Sequence, residues 1–283
     1  MRIRKVVVIT LTALIASCSV VSAEQIAVQQ EVMKEKPRFV EGEKDKVYAH
    51  SFYEYSWVKQ GTRKGNWQIW QNRVAYLEEN VPALYVDFTK YRRLGVNDYT
   101  IDIGSYKKVN KGYIHGGVGY GGPGAEQDFI YRFKAFLEAE QRIIGYLNLN
   151  LNAQYRHYPK KEAETDGDVF ILSPGLVYYF GNHYVSANYG ISLNTERGSA
   201  SFGIVKSYFV LNEHIGLYSG IAVGQRLYDI FPIAAAKQGG YILYSGLDVG
   251  VYKHLKLRIG GSYSEEGKRF IKRSLDCGGV VKF

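Results

Sequence analysis

The sequence predicts an all-β fold, a transmembrane antiparallel up-and-down β-barrel of about 14 strands. Three observations support this prediction. From residue 47 onward, apolar and polar side chains alternate in one segment after another. The composition is rich in glycine and tyrosine, with 31 and 25 residues, and poor in proline, with 6. The links between segments are alternately tight and long. Together these features are typical of strands joined by hairpins.

The clearest alternation lies in residues 146–158, with the sequence YLNLNLNAQYRHY. Successive side chains of a strand leave opposite faces, so a period of two indicates a strand. One face of this segment is leucine, alanine and tyrosine, and the other is amide and cationic. A soluble sheet packed on a core also shows such a pattern. Its recurrence without any helical segment favours a barrel with one face toward lipid and one toward a lumen.

The same period recurs in segments of about 10 residues or more, the length of a tilted membrane strand. No run in the mature chain approaches about 18 apolar residues, so no transmembrane helix is expected. The expected strands are residues 47–58, 66–77, 82–92, 98–108, 113–121, 129–139, 146–158, 169–180, 184–194, 201–210, 215–225, 241–252, 255–264 and 270–283.

The links have two kinds of length, which predicts short periplasmic turns and longer extracellular loops if the N-terminus is periplasmic. A β-sandwich gives no reason for such parity. Closure follows because an unpaired strand edge in lipid costs several kcal/mol for each polar group. The tight links are residues 110–112, 181–183, 212–214 and 253–254, and the longer ones are 159–168, 195–200, 228–240 and 265–269.

Residues 1–23 have the pattern of a signal peptide. Basic residues at positions 2, 4 and 5 precede an apolar run, and a small-residue cleavage site ends at Ala23. The segment before Cys18 also resembles a lipobox, which leaves lipidation at Cys18 as an alternative. Residues 24–46 are charged and lack a sustained period, so a flexible periplasmic segment is expected there. Residues 47–283 form the predicted outer-membrane barrel.

The formal net charge of +9 raises the question of nucleic-acid binding. Scattered charges and the exported leader argue against a nucleic-acid partner. Cys277 is the one cysteine outside the leader, so neither an internal disulfide nor a cysteine metal cluster is expected. No metal or other cofactor is predicted.

The final strand ends on Phe283, with apolar residues on the same face before it. This ending resembles the insertion signal read by the outer-membrane barrel-insertion machinery, a predicted partner together with outer-membrane lipids and lipopolysaccharide.

Three further patterns resemble the YaiO family of outer-membrane barrels. They are DIGSY at 102–106 followed by GY at 112–113, QYRHY at 154–158, and YFGNHYVS at 179–186. The resemblance covers residues 47–283 and implies a barrel in the bacterial outer membrane with a loose association with glycans. Many relatives carry helical repeats before the barrel, whereas this chain has only residues 24–46 there.

The face assignment places many ionisable and amide side chains in the lumen. Cross-strand ion pairs that fill the barrel are one interpretation, and a polar conduit or binding cavity is the other. Amides beside tyrosines suit sugar hydroxyls, although they also simply hydrate a lumen. The candidate lining residues are Asn148, Asn150, Asn152, Gln154, Arg156, Tyr158, Arg132, Lys134, Glu138, Arg226, Asp248 and Arg258. The same assignment puts Glu54, Asp87, Asp102, Lys108, Asp276 and Lys282 inside.

The link at residues 228–240 is long and apolar enough to fold inward as a plug, with Tyr228, Phe231 and Pro232 as its candidate residues. An ordinary extracellular loop is the alternative.

No nucleophile–base signature marks an enzyme, so catalytic residues are not assigned and the prediction leans against an enzyme. The predicted function is a narrow pore or envelope component associated with saccharide passage or surface glycan. An outer-membrane enzyme acting on lipid or glycan, and a plugged structural or adhesive barrel, are the alternatives.

Overall fold

The computed structural model describes residues 47–77, 82–93, 96–122, 130–158, 167–194, 198–225, 239–267 and 270–283. These residues form a closed barrel of 14 antiparallel strands in which each strand pairs with its sequence neighbours. The strands are β1 Val47–Gln60, β2 Arg63–Tyr76, β3 Ala83–Arg93, β4 Val96–Val109, β5 Gly112–Gly121, β6 Phe133–Ile144, β7 Leu147–Tyr158, β8 Gly167–Phe180, β9 His183–Asn194, β10 Gly198–Val210, β11 Ile215–Gln225, β12 Gly239–Tyr252, β13 Leu255–Glu266 and β14 Phe270–Lys282. The predicted fold class is confirmed.

The two ends of the barrel chain meet at one rim, which we call the inner rim. β1 pairs with β14 from Tyr48–Lys282 to Gln60–Phe270. The Phe283 backbone N–H then donates to the Val47 carbonyl at 2.9 Å. The opposite end is the outer rim. This pairing leaves no open sheet edge, as a barrel in lipid requires.

The outward face is a belt of large apolar side chains. In β7, Leu149 and Leu151 are 47% and 43% exposed, while their neighbour Asn150 is 7% exposed. The same alternation runs through β3, where every second residue is buried. Because such a surface is stable only in an apolar solvent, the belt marks the part of the wall that lies in the membrane. Among the described residues, no helix is long and apolar enough to cross a bilayer.

The links differ between the two rims. At the inner rim, the β4–β5, β6–β7, β8–β9 and β12–β13 turns are two residues long, and at the outer rim the β5–β6 and β11–β12 links are the longest. The β1–β2 and β3–β4 links depart from this asymmetry, because each is an outer-rim link of two residues. Gly61 in the β1–β2 turn has φ 61°, a left-handed conformation that glycine adopts without a steric penalty.

β6 begins later than the alternation predicts. Residues 129–139 were expected as one strand, in which alternation places Tyr131 on the same face as Phe133, whereas β6 starts at Phe133. Tyr131 instead turns inward, is 3% exposed, and its hydroxyl donates to Asp102 Oδ1 at 3.0 Å. The prediction for the start of this strand was wrong because a buried carboxylate, distant in sequence, determines where the tyrosine ring lies.

Candidate functional site: the barrel lumen

The outer half of the lumen is filled by apolar side chains. One buried cluster takes residues from seven strands, β1, β2, β8, β10, β11, β12 and β14. Trp67, Ile204, Ile242 and Phe270 in it are each at most 1% exposed. We call this cluster the apolar layer, and it consists of Val58, Trp67, Val169, Ile171, Phe202, Ile204, Tyr218, Ala222, Ile242, Tyr244 and Phe270.

Inward glycines let the large side chains lie against the wall. A Cβ on Gly220 would lie 1.9 Å from the Tyr244 hydroxyl, and one on Gly190 would lie 2.1 Å from the Phe202 ring. Gly246 and Gly260 are covered in the same way by Tyr218. Since no other residue leaves this space, each glycine creates a slot for an aromatic ring from a nearby strand.

A buried ion pair holds the β1–β14 seam. Lys272 Nζ lies 2.6 Å from Glu54 Oε1, with 0% and 1% of the two side chains exposed. The Ser56 hydroxyl donates to the same carboxylate, and Ser274 Oγ lies 3.2 Å from Ser56 Oγ. Glu54 was predicted to be inside, and its partner explains why a charge is stable there, since buried carboxylates require pairing.

A second ion pair crosses from β4 to β6 over β5. Lys134 Nζ lies 2.8 Å from Asp102 Oδ1, and Tyr131 donates to the same carboxylate. A Cβ on Gly119 of the intervening strand would lie 1.8 Å from the Asp102 oxygen. The glycine therefore makes room for the pair. Lys134 and Asp102 both lie inside, as their strands' alternation predicts.

Two bidentate arginine–aspartate pairs occur toward the inner half. Arg73 donates from Nε and Nη2 to Asp87, both at 2.6 Å. Arg258 donates from the same two nitrogens to Asp248, at 2.6 and 2.8 Å. Lys256 Nζ also lies 3.0 Å from Asp248. Such fork-shaped pairs fix both side chains, so these charges stiffen the lumen.

The amide ladder of β7 is bonded to carboxylates of β6. Asn148 donates to Glu140 at 2.8 Å, and Asn150 donates to Glu138 at 3.1 Å. Asn188 of β9 donates to the Asn150 side-chain oxygen at 3.1 Å. With Asn152, the three β7 asparagines are 5 to 7% exposed. The inward direction predicted for this ladder is observed, but these bonds and this burial make it part of the wall.

The remaining predicted lining residues near the outer rim also have internal partners. Arg156 is 4% exposed and donates from Nε to the Gln154 oxygen at 2.5 Å and from Nη1 to the Tyr158 hydroxyl at 3.4 Å. Arg132 donates to the Gly122 carbonyl at 2.6 Å.

Lys108 and Lys282 lie at the inner rim, and Lys282 lies over the Tyr48 ring at 5.4 Å. Arg226 and the plug candidates Tyr228, Phe231 and Pro232 lie outside the described residues.

A histidine network on β3, β5 and β6 was not singled out by the sequence. His115 is fully buried, and its Nε2 lies 2.8 Å from the Tyr85 hydroxyl. Its Nδ1 lies 3.5 Å from Glu138, which also accepts a hydrogen bond from Tyr113. The imidazole stacks on Tyr106, with ring centroids 3.7 Å apart. A histidine between an acid and a hydroxyl has the elements of a catalytic relay, but complete burial denies it a substrate.

A second histidine–acid pair faces outward at the outer rim. His157 Nδ1 lies 3.0 Å from Asp168 Oδ1, and the Tyr155 hydroxyl donates to the same oxygen at 2.8 Å. The third group in this arrangement is thus a tyrosine and not the serine that a lipid hydrolase needs beside its histidine. Nowhere in the described ranges do three His, Cys, Asp or Glu residues come together as a possible metal site.

The inner end of the lumen contains a row of tyrosines from β8, β9 and β10. Tyr184 stacks on Tyr208 with ring centroids 6.0 Å apart and an angle of 14°. Tyr179 lies 6.0 Å from Tyr184, and Lys256 Nζ lies 3.4 Å from the Tyr208 hydroxyl. These side chains are partly exposed, as is Lys206. We call this region the inner vestibule, and it consists of Tyr179, Tyr184, Lys206, Tyr208 and Lys256.

Solved structures with a similar fold are outer-membrane barrels. The CymD monoaromatic hydrocarbon channel matches with a TM-score of 0.56 and 8% identity over 85% of this chain and 89% of that chain. The outer-membrane protein Omp33 of Acinetobacter baumannii matches with a TM-score of 0.51 and 7% identity over 84% of this chain and 98% of that chain. No family model and no curated protein matches the sequence. Closed strand order, outward apolar belt and fold likeness agree on a bacterial outer-membrane β-barrel.

Proposed function

We propose that this chain is an outer-membrane barrel whose lumen is closed to free diffusion in its outer half and opens toward the periplasm. The observation that carries this proposal is the burial of the apolar layer, which includes the fully buried Trp67, Ile204, Ile242 and Phe270. The barrel then acts as an envelope component or gated narrow pore rather than as a permanently open porin.

The physical reason is the cost of taking an ion through this layer. A water-filled pore keeps its lumen side chains wet, whereas here Lys272, Glu54, Lys134 and Asp102 are each at most 3% exposed and pair with one another. An ion crossing this region would leave water without gaining a charged partner, because the charges are already paired. Hydrophobic constrictions close channels in the same way, by excluding water.

Saccharide association is also part of the proposal, but its site is the inner vestibule and not the amide ladder of β7. The inner vestibule supports it, because stacked tyrosines offer flat faces to sugar rings and the partly exposed Lys206 suits acidic sugars. The resemblance to the YaiO family, itself a proposal, points to glycans as well. The amide ladder no longer supports it, since Asn148 and Asn150 already donate to glutamates.

Conductance of the refolded barrel in planar bilayers tests the closed lumen. We expect the wild type to be silent and the triple variant Ile171→Ala, Ile204→Ala, Ile242→Ala to conduct, because the three positions belong to the apolar layer. The matched control removes three outward side chains that are 41 to 50% exposed, Leu172, Ile191 and Leu243, and should stay silent. Large, stable wild-type conductance would refute the proposal.

Two further properties belong to the same proposal. The signal peptide at residues 1–23 and the insertion signal at Phe283 imply export and assembly by the barrel-insertion machinery. Mass spectrometry of the mature N-terminus tests cleavage after Ala23, and a diacylated Cys18 would contradict it.

An enzyme acting on lipid or glycan remains the weaker alternative, because His115 is buried and His157 is paired with Asp168. Release of fatty acid from phospholipid by the pure protein would favour that alternative.

A further inference from the structure

The outward wall near the outer rim has a cationic stretch on four adjacent strands. Its residues are exposed and lie within the last four residues of their strands at that rim. Lys90, for example, lies between the buried residues Thr89 and Tyr91, so its side chain leaves the opposite, lipid-facing side. We call this set the basic stripe, and it consists of Arg273 on β14, Lys59 on β1, Lys64 on β2, and Lys90 and Arg92 on β3.

The register brings these cations together. Lys59 pairs directly with Lys64, and Arg273 pairs with Trp57 two residues before Lys59. Like charges in directly opposite positions repel each other, so this arrangement is destabilising without a counter-charge. The other outward positions in this outer part of the four strands supply none. They are Ile271, Leu275, Tyr53, Tyr55, Trp57, Asn66, Gln68, Trp70 and Phe88.

The rest of the outer rim has the opposite character. Among the described outward positions near the rim from β5 to β13 there is no lysine or arginine. The carboxylates there are engaged, Asp168 by His157 and Tyr155, and Glu265 by Tyr263 at 3.1 Å. Among the residues that the structure describes, the outward positive charge near this rim is thus confined to one side of the barrel, where it faces sideways into the membrane.

Aromatic rings lie directly below the basic stripe on the same face. Trp57 is 48% exposed and makes an edge contact with Tyr55 at 4.9 Å. Phe88 and Tyr99 stack with centroids 6.0 Å apart. Aromatic side chains of this kind mark the boundary between head groups and acyl chains. The cations therefore lie at head-group level and not above the membrane, where a soluble acidic protein would approach.

We propose that the basic stripe binds the phosphate groups of a phosphorylated glycolipid of the outer leaflet, the chemistry of lipopolysaccharide. Clustered lysines and arginines at a membrane surface attract anionic lipid by electrostatics. Arg92 and Arg273 add forked donors that match phosphate oxygens. The acyl chains of the same molecule lie along the aromatic surface formed by Trp57, Phe88 and Tyr99. The glycolipid bridges β14 and β1 and so covers the outside of the barrel's closing seam.

The test compares binding of phosphorylated lipopolysaccharide with binding of its dephosphorylated form, by titration of refolded barrel in detergent micelles. The test variant is Lys59→Gln, Lys64→Gln, Lys90→Gln, Arg92→Gln. The control variant removes four exposed cations at the inner rim, Lys107→Gln, Lys111→Asn, Arg142→Gln and Lys253→Gln. We expect at least tenfold weaker binding for the test variant and wild-type binding for the control, since each cation near an anionic surface adds about 1 kcal/mol.

Several results would overturn the proposal. Equal binding of the dephosphorylated form, or unchanged binding by the test variant, removes phosphate recognition. If inorganic phosphate binds as well as the phosphorylated glycolipid does, the stripe is a free-anion site. If phosphatidylglycerol vesicles bind equally well, it is a general anionic-lipid surface. Should the fourfold variant fail to fold, judged by heat-modifiable migration in gels, the pair Lys59→Gln, Lys64→Gln is measured instead. An unchanged affinity in that pair then decides against the proposal.

Discussion

The Lys272–Glu54 pair at the β1–β14 seam makes a quantitative prediction about stability. At the observed separation of 2.6 Å, an effective dielectric constant of about 20 gives a gross attraction of about 6 kcal/mol. Burial offsets most of this, because each ion loses several kcal/mol of hydration. The net value of the pair is therefore small, while removal of one partner leaves the other buried and uncompensated.

The perturbation is a double-mutant cycle with Glu54→Gln and Lys272→Met. Each single change should lower the free energy of unfolding by about 3 to 5 kcal/mol. Glu54→Gln keeps an oxygen for the Ser56 hydroxyl, so its cost isolates the loss of charge. The double variant should fall within about 2 kcal/mol of the wild type, because it leaves no unpaired buried charge.

The assay is equilibrium unfolding by denaturant in lipid vesicles, followed by tryptophan fluorescence. Trp67 is a direct reporter, because Lys272 Nζ lies 5.6 Å from its ring centroid. Lys253→Met in an exposed inner-rim turn is the control and should change stability by no more than about 0.5 kcal/mol. If the double variant loses as much stability as the sum of the two single variants, the ion-pair reasoning is refuted.

Three further tests, made with five substitutions, concern the barrel wall. Gly104→Ala should lower stability by about 1 to 3 kcal/mol, because its Cβ would lie 2.3 Å from a tyrosine hydroxyl, whereas Gly203→Ala, with nothing within 4 Å, should be neutral in the same unfolding assay. Asn150→Leu should lower stability by about 1 to 3 kcal/mol without changing saccharide affinity in a titration. Leu151→Arg in the middle of the belt should cost about 2 to 4 kcal/mol, and Leu193→Arg near the outer rim about 0 to 1 kcal/mol.

Each of these has a contradicting outcome. Equal effects of the two glycine substitutions would mean that the tyrosine ring does not need its slot. A loss of saccharide affinity in the asparagine variant would restore the amide ladder as a binding surface. Similar effects of the two arginine substitutions would mean that the belt is not graded by membrane depth.

The architecture was predictable because its signal is local. A period of two is visible within each segment, and the lipid and lumen faces of β7 follow from Leu149, Leu151 and the asparagines between them. Strand number follows in the same way, since each strand needs only its own pattern. The link lengths also predicted which rim has the periplasmic turns and which has the extracellular loops. The two-residue turn at Gly61 shows, however, that not every outer-rim link is long.

The partners inside the lumen were not predictable, because they depend on register and on distant strands. Tyr85 and His115 are 30 residues apart in sequence and meet across an inward glycine, Gly104. Asn150 bonds Glu138 diagonally, since the residue directly opposite Glu138 is Asn152. A period identifies an inward residue, but only the register identifies what it contacts.

The tyrosine row of the inner vestibule was missed for a related reason. Tyrosines near strand ends commonly lie outward at the membrane interface, as Tyr178 does with 50% of its surface exposed. Its neighbour Tyr179 turns inward and donates to Glu140 at 2.8 Å. At a strand end, only the position of a tyrosine in the two-residue period decides whether its ring points outward or into the lumen. The amino-acid composition cannot separate outward tyrosines from lumen tyrosines.

The position of the seam pair has a consequence for the order of assembly. Glu54 and Lys272 belong to the first and last strands, so neither finds its partner until the whole barrel sequence has been released. Contacts of such long sequence separation form slowly, because the intervening chain must first be ordered. Burial of this pair therefore requires closure of the β1–β14 seam, so the buried pair is a mark of the completed barrel.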